Sequence, residues 1–131
     1  MNIDFEDILF RAKRKDNGEW VYGDLYRDPF NGGFFIHELY NIGDIIDVVP
    51  ETLCRYSGVT IEGESGETVK IWEHDFIEYV DEWHISQGVM KAEVVFEEGA
   101  FTAGEDVGRW IGDCWQMRVI GNRFDNPELT D

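Results

Sequence analysis

Apolar and polar residues alternate with a period of two along much of the chain, and the helical period of 3.6 hardly appears. The clearest alternation covers residues 90–96, where even positions are apolar and odd ones, apart from Val95, are charged. Glu98-Gly99 follows and predicts a tight turn into another strand at residues 100–103. The pattern therefore predicts a mainly β chain built from hairpins, at most a β-rich α+β protein.

The same reasoning predicts further strands at residues 8–13, 19–25, 34–37, 44–49, 52–56, 69–72, 76–80 and 115–120. Asn17-Gly18 separates the first two and is typical of a two-residue hairpin turn, because both residues tolerate positive φ. In the last strand Trp115, Met117 and Val119 alternate against polar neighbours, so we expect these three on one face. Residues 58–66 are polar and glycine-rich and predict a loop, whereas residues 104–114 allow a loop or one short helix.

The chain has 131 residues, of which 43% are hydrophobic and 15% aromatic, enough for one real core. It contains no repeat and no flexible linker, so we expect a single domain over residues 1–131, which could be built as two packed halves. No run approaches the roughly 18 apolar residues of a membrane span, and the N-terminus lacks the pattern of a signal peptide. A cytoplasmic location is therefore predicted. Cys54 and Cys114 have no CxxC spacing, and both are predicted to be buried thiols.

Charge narrows the choice of partners, because 28 acidic against 11 basic residues give a net charge of −17. This charge argues against direct binding of nucleic acid or of an anionic membrane surface. Four cations form a local exception, which we call the basic strip: Arg11, Lys13, Arg14 and Lys15. The strip could dock an acidic group of a partner or of another copy. Alternatively it is the solvent face of a first strand whose Ile8, Phe10 and Ala12 point inward.

The acidic excess is densest in residues 66–131, which hold 15 acidic against 5 basic side chains. Three acidic pairs occur there: Asp81-Glu82, Glu97-Glu98 and Glu105-Asp106. One hypothesis is an inhibitor of a host DNA-binding protein whose ordered carboxylates imitate a nucleic-acid backbone. The other interpretation is a solvating surface, since net charge alone bears on solubility and non-specific association.

Catalytic signals are sparse. His74 and His84 lie among carboxylates, and imidazole with carboxylate suits several transition metals, so a metal-dependent hydrolase is one hypothesis. No HExxH, HxH or EF-hand spacing supports it, and GxSxG and phosphate-loop patterns are absent from the sequence. We therefore predict a protein that is not an enzyme and that has no cofactor.

Six stretches, in order and over nearly the whole chain, resemble a known family: residues 10–13, 18–23, 49–59, 71–77, 94–101 and 119–129. The closing Ile-Gly-Asn and Asn-Pro-Glu-Leu are the most specific, followed by the Glu-x-Asp of residues 73–75. On these motifs the chain resembles the YopX-like proteins of bacteriophages and prophages. The resemblance implies antiparallel sheets or a partly open small barrel with few short helices.

The resemblance also implies a phage-encoded accessory protein of unestablished activity, in the cytoplasm of the bacterial host, which acts through protein contacts as a homo-oligomer. Its motif residues have structural roles: Tyr56, Gly58, Trp72, Glu73, Asp75, Gly121, Asn122, Asn126 and Pro127. We expect Asn122 and Asn126 to fix a C-terminal turn by side-chain bonds to the backbone. Glu73 and Asp75 resemble turn-capping carboxylates more than an acid/base pair.

The chain departs from the family pattern at two motifs and one loop. Cys54-Arg55 replaces Gly-Gln, His74 replaces Gly, and the loop at residues 60–68 is longer and more acidic. Because a residue other than glycine stands at position 74, we expect that positive φ is not required there.

Overall fold

The computed structural model describes residues 8–38, 44–81, 83–105 and 108–130. The chain divides into two compact units, residues 1–56 and 57–131. The described residues form antiparallel strands joined by turns and short 3₁₀ turns, and the sheets are open. The expected β-rich fold with antiparallel sheets and few short helices is confirmed.

In the first unit, neighbouring strands pair in the order β4-β3-β2-β1-β5. The strands are β1 (Phe10–Lys13), β2 (Trp20–Arg27), β3 (Phe34–Glu38), β4 (Ile45–Asp47) and the first residues of β5 (Cys54–Glu62). Ala12, Val21, Ile36 and Val48 form the buried core of this unit. A hairpin at Asn17-Gly18 is confirmed, since Lys13 pairs with Trp20 and Gly18 has φ of 74°. The two-residue turn is wrong, because the Arg14 N–H donates to the Glu19 carbonyl at 2.9 Å across a four-residue connection and Asn17 does not have positive φ.

In the second unit, the rest of β5 pairs with β6, and five further strands form a sheet of order β10-β9-β8-β7-β11. The strands are β6 (Thr68–Trp72), β7 (Asp75–Asp81), β8 (Val89–Glu97), β9 (Ala100–Ala103), β10 (Arg109–Trp110) and β11 (Cys114–Asn122). The core contains Ile71, Ile77, Tyr79, Val94, Ala103 and Ile111. The predicted Glu98-Gly99 turn is confirmed, and both residues have positive φ.

The loop predicted at residues 58–66 is wrong for its first half. Strand β5 continues to Glu62, and the turn is closed by the Gly63 N–H, which donates to the Glu67 carbonyl at 2.7 Å. The strand extends because Val59 and Ile61 pack against the core of the second unit. Residues 104–114, left open by the sequence, contain strand β10 and a 3₁₀ turn at Ile111–Asp113.

The predicted alternation along the last strand is wrong at Trp115. Met117 and Val119 pack against the core, whereas Trp115 is on the opposite face and 47% exposed. The pairing of β11 with β7 shifts register between Trp115 and Arg118, and Gln116 in this bulge has φ of 51°. An inserted residue reverses the phase of the alternation on either side of it. The bulge therefore turns Trp115 away from the core.

The prediction for the first strand is partly confirmed. Ala12 is fully buried and Phe10 packs against the core, but Ile8 precedes β1 and is 56% exposed. Arg11, which was assigned to the solvent face, is buried. A long basic side chain can bury its methylene stem while its guanidinium contacts a ring, and the Arg11 guanidinium lies over the Trp20 ring.

Candidate functional site

Two members of the basic strip stack on one tryptophan of the first unit. The Arg11 guanidinium lies 4.3 Å from the centroid of the Trp20 ring, and Lys13 Nζ lies 5.4 Å from it. The register explains the geometry, since Lys13 pairs directly with Trp20 and Arg11 stands two residues away on the same face. These two cations therefore contribute to packing within the unit.

The other two members of the strip bind carboxylates of their own unit. Arg14 donates to Asp16 through Nε and Nη2 at 2.9 and 2.8 Å, and Lys15 Nζ lies 3.4 Å from Asp47 Oδ1. The hydrogen bond to Asp16 raises the pKa of Arg14, and the same bond lowers the pKa of Asp16. A docking role for the basic strip stays a prediction.

Two motif residues lie where β5 begins. Tyr56 is buried, and its N–H donates to the Leu9 carbonyl at 3.0 Å. Gly58 has φ of 83° within the strand, a conformation that strains any residue with a Cβ. Glycine is therefore favoured at this point of β5.

The turn between β6 and β7 contains the Glu-x-Asp motif. Asp75 Oδ2 accepts the Trp72 N–H at 2.8 Å, as a turn-capping carboxylate does. His74 has φ of 73°, so the expectation that this position does not require positive φ is wrong. The conformation is held because the His74 N–H donates to Val94 O at 2.7 Å and the His74 carbonyl accepts the Arg123 N–H at 3.0 Å.

The side chain of His74 is part of a cluster, which we call the His74 end of β7. His74 Nδ1 lies 2.7 Å from Glu93 Oε2, and Arg123 donates to both oxygens of Glu93 at 3.0 and 2.8 Å. The bond to Glu93 raises the pKa of Arg123. The imidazole also meets the Phe124 ring edge-on, with the centroids 5.6 Å apart. These polar groups satisfy one another and fix the turn.

The C-terminal turn is closed by asparagines, as predicted. Asn122 Oδ1 accepts the N–H groups of Phe124 and Asp125, each at 2.9 Å, and Asn126 Oδ1 accepts the Asn122 N–H at 3.1 Å. A Cβ on Gly121 would lie 2.6 Å from Asn126 Oδ1, so only glycine admits this close approach. The motif residues of this segment therefore act together as one turn.

A 3₁₀ turn at Pro127–Leu129 follows, with the proline at its first position. Beside it lies a depression of about 350 Å³ whose lining includes Phe76, Lys91, Arg123 and Leu129. Its cations are already engaged, because Arg123 binds Glu93 and Lys91 binds a carboxylate of β7. The arrangement supports stabilisation of the C-terminal segment more than capture of a ligand.

At the other end of β7, Asp81 is buried and joins three neighbours; we call this the Asp81 end. Asp81 Oδ1 accepts the Trp83 N–H at 2.9 Å, and Oδ2 lies 3.2 Å from His84 Nδ1 and 3.3 Å from Arg109 Nη2. The Trp83 N–H is the main cause that lowers the pKa of Asp81, and His84 and Arg109 add to it. The carboxylate is thus held ionised and fixes the two segments that follow β7 and precede β11.

Cys114 pairs with Asp81 across the sheet and is half-buried. Burial, followed by the nearby Asp81 carboxylate, raises the pKa of the Cys114 thiol to about 11. Cys54 is fully buried. Full burial is confirmed for Cys54 only, and Cys114 is predominantly a neutral thiol at pH 7.

His74 lies just before β7 and His84 just after it, and a strand of this length spans roughly 20 Å. They cannot share one metal ion, so the metal site proposed for them is wrong. Among the described residues, no group of three or more His, Cys, Asp and Glu side chains is placed to hold a metal. Of the acidic pairs, Glu82 and Asp106 lie outside the described residues.

Five large apolar side chains of the second unit are exposed around the Asp81 end, with exposed fractions between 47% and 70%. We call them the tryptophan surface: Trp83, Ile85, Val89, Trp110 and Trp115. Trp83 and Ile85 follow β7, Trp110 adjoins Arg109, and Trp115 adjoins Cys114. Sequence reasoning missed this surface. A signal was present, since three of the five tryptophans fall within residues 83–115.

No helix within the described ranges combines the length and the apolar character that crossing a membrane requires. The chain matches no protein-family model, no curated protein and no solved structure.

Proposed function

We propose that the chain is a YopX-like accessory protein of a phage or prophage that acts through protein–protein contacts in the host cytoplasm, as a homo-oligomer. The observation that carries the contact role is the tryptophan surface. Contiguous exposed apolar area marks interaction sites, and tryptophan and arginine are enriched among the residues that dominate binding energy. The phage origin is based on the sequence resemblance alone.

The Asp81 end supports this role because it orders the backbone that presents the tryptophans. Asp81 fixes Trp83 through its N–H and fixes Arg109, the neighbour of Trp110, through its guanidinium. A surface ordered before binding loses less conformational entropy when a partner docks. Asp81 is also already paired, so docking would leave no uncompensated carboxylate there.

The proposal is non-enzymatic, and the His74 end is assigned a structural role. Glu93 there accepts hydrogen bonds from two side chains, and the turn residues bond to the backbone. The nucleic-acid-mimicking inhibitor is less supported. Of the acidic pairs on which that hypothesis is based, Asp81 is bound by Arg109, and the neighbouring carboxylates Glu78 and Glu93 are bound by Arg118 and Arg123.

The test is the mass of the protein in solution. Sedimentation equilibrium should give a mass above the 15.2 kDa monomer, and Trp83→Ser or Trp115→Ser should move it toward the monomer. Phe30→Ser is the control, because Phe30 is fully exposed in the first unit, outside the tryptophan surface. Circular dichroism confirms that each variant is folded. Equal masses for the wild type and both tryptophan variants would contradict the assignment.

A further inference from the structure

One row of apolar side chains crosses three neighbouring strands of the second unit. Val80 in β7 pairs directly with Val89 in β8 and with Trp115 in β11. Directly paired residues point to the same face of an antiparallel sheet. Val89 is 64% exposed, and the bulge at Gln116 places Trp115 on this face as well. The solvent face of such a sheet is usually polar, so this row departs from the ordinary pattern.

A second row on the same face is charged. Glu78 pairs with Lys91 and with Arg118, and it stands two residues from Val80, which places both rows on one face. Arg118 Nη2 lies 2.8 Å and Lys91 Nζ 3.8 Å from the Glu78 carboxylate. We call the two rows the outer face: Val80, Val89, Trp115, Glu78, Lys91 and Arg118.

The outer face does not share the negative charge of the chain. Its two cations are balanced by Glu78 and by Glu64, whose carboxylate lies 3.8 Å from Arg118 Nη1, in a protein whose net charge is −17. A cationic partner would be drawn to the acidic surfaces and not to this face. Two copies of a strongly acidic chain repel each other least where the local charge is not negative. The charge pattern therefore favours a second copy as the partner that covers the apolar row.

We propose that two copies of the chain pack against each other through their outer faces, about a two-fold axis near β7, the middle strand of the three. This inference rests on the proposed function and assigns its protein contact to a second copy. In a two-fold interface the same patch meets itself, so the apolar row of one copy covers that of the other. Packing of two sheets at about 10 Å separation is the ordinary geometry for such faces.

The experiment compares two substitutions that introduce the same charge on different surfaces of the second unit. Val89→Asp adds a negative charge on the outer face, and Ile85→Asp adds the same charge on the tryptophan surface outside that face. Both side chains are β-branched and similarly exposed, at 64% and 58%. Because each dimer contains the change twice, we expect Val89→Asp to raise the dimer dissociation constant at least roughly tenfold more than Ile85→Asp.

Dissociation constants come from sedimentation equilibrium, with circular dichroism as the check on folding. Lys91→Glu is the second variant if Val89→Asp fails to fold, because its exposed side chain leaves no core position altered. Equal weakening by the Val89 and Ile85 variants, in a wild type that self-associates, overturns the outer-face interface but leaves the proposed function standing. A wild-type chain that stays monomeric at every concentration overturns both the interface and the homo-oligomer.

Discussion

Replacing His74 separates a backbone contribution from a side-chain contribution to the stability of the second unit. His74 has φ of 73°, in the left-handed region, where a Cβ costs roughly 1 kcal/mol relative to glycine. His74→Gly relieves that strain and His74→Ala does not. We therefore expect the glycine variant to be about 1 kcal/mol more stable than the alanine variant.

Both variants lose the contacts of the imidazole. The hydrogen bond to Glu93 at 2.7 Å contributes about 1 kcal/mol, because the partly exposed ring is partly screened by solvent. The edge-on contact with Phe124, at 5.6 Å between centroids, adds about 1 kcal/mol. The free energy of unfolding should therefore fall by about 2 kcal/mol in His74→Ala and by about 1 kcal/mol in His74→Gly.

Urea denaturation followed by tryptophan fluorescence measures the order of stability: wild type, then glycine, then alanine. Glu98 supplies the control, since it has φ of 50° in an exposed turn. Glu98→Gly should likewise be more stable than Glu98→Ala, without the additional loss seen at His74. An alanine variant at least as stable as the glycine variant would refute the positive φ. A glycine variant more stable than the wild type would refute the contribution of the imidazole.

The remaining predictions concern three other positions. Gly121→Ala should lower the free energy of unfolding by about 2 kcal/mol, because the new methyl would displace Asn126 from its hydrogen bond to Asn122. Urea denaturation measures the change, and an unchanged midpoint would contradict it. Because its pKa is lowered, ionised Asp81 stabilises the fold above its unfolded pKa of about 3.9, and this stabilisation is lost as pH falls through the folded pKa. Asp81→Asn should therefore make the free energy of unfolding less dependent on pH in that window. An unchanged pH profile would count against this prediction. At pH 8, iodoacetamide should alkylate Cys114 in the folded chain about 100-fold more slowly than in the urea-unfolded chain. The thiolate is the reactive form, and folding raises the pKa of the Cys114 thiol from 9.0 to about 11. Equal rates in the two states would disprove the effect of burial.

The strands could be predicted from the sequence because the period of two is a local signal. In β8, for example, every alternate residue from Met90 to Val94 packs against the core as the pattern indicated. Strand β5 was shortened in the prediction because glycine and glutamate between residues 58 and 66 resemble a loop. Val59 and Ile61 already alternated there, but the core contact that extends the strand depends on where the rest of the chain lies.

The bulge at Gln116 shows where local reasoning fails. Glutamine has no preference for positive φ, so nothing in the sequence marks the inserted residue. The phase of Trp115 therefore could not be predicted, and neither could the outer face. The same holds for His74, whose conformation is fixed by backbone bonds to Val94 and Arg123, residues distant along the chain.

The motif residues illustrate a different limit. The sequence resemblance selected Glu73, Asp75 and Asn122, and the structure places them within one turn region, where Asp75 pairs with Asn122 across β7 and β11. Glu93 and Arg123 were not selected, although their bidentate ion pair joins the same region. A charged residue on a strand looks like a solvent-facing position, and only the register of β7 with β8 and β11 shows which charges meet.

Salt dependence distinguishes the two functions that the charge of −17 allows. Two copies of the chain repel over long range, and 0.1 M salt screens charges beyond about 10 Å. The homo-oligomer should therefore tighten as sodium chloride rises from about 10 mM to 300 mM, since the apolar row is insensitive to screening. An acidic mimic bound to a cationic protein would weaken over the same range, because its attraction is the term that salt screens. Sedimentation equilibrium across the salt series measures the first effect, and self-association that weakens with salt would contradict an interface centred on Val80.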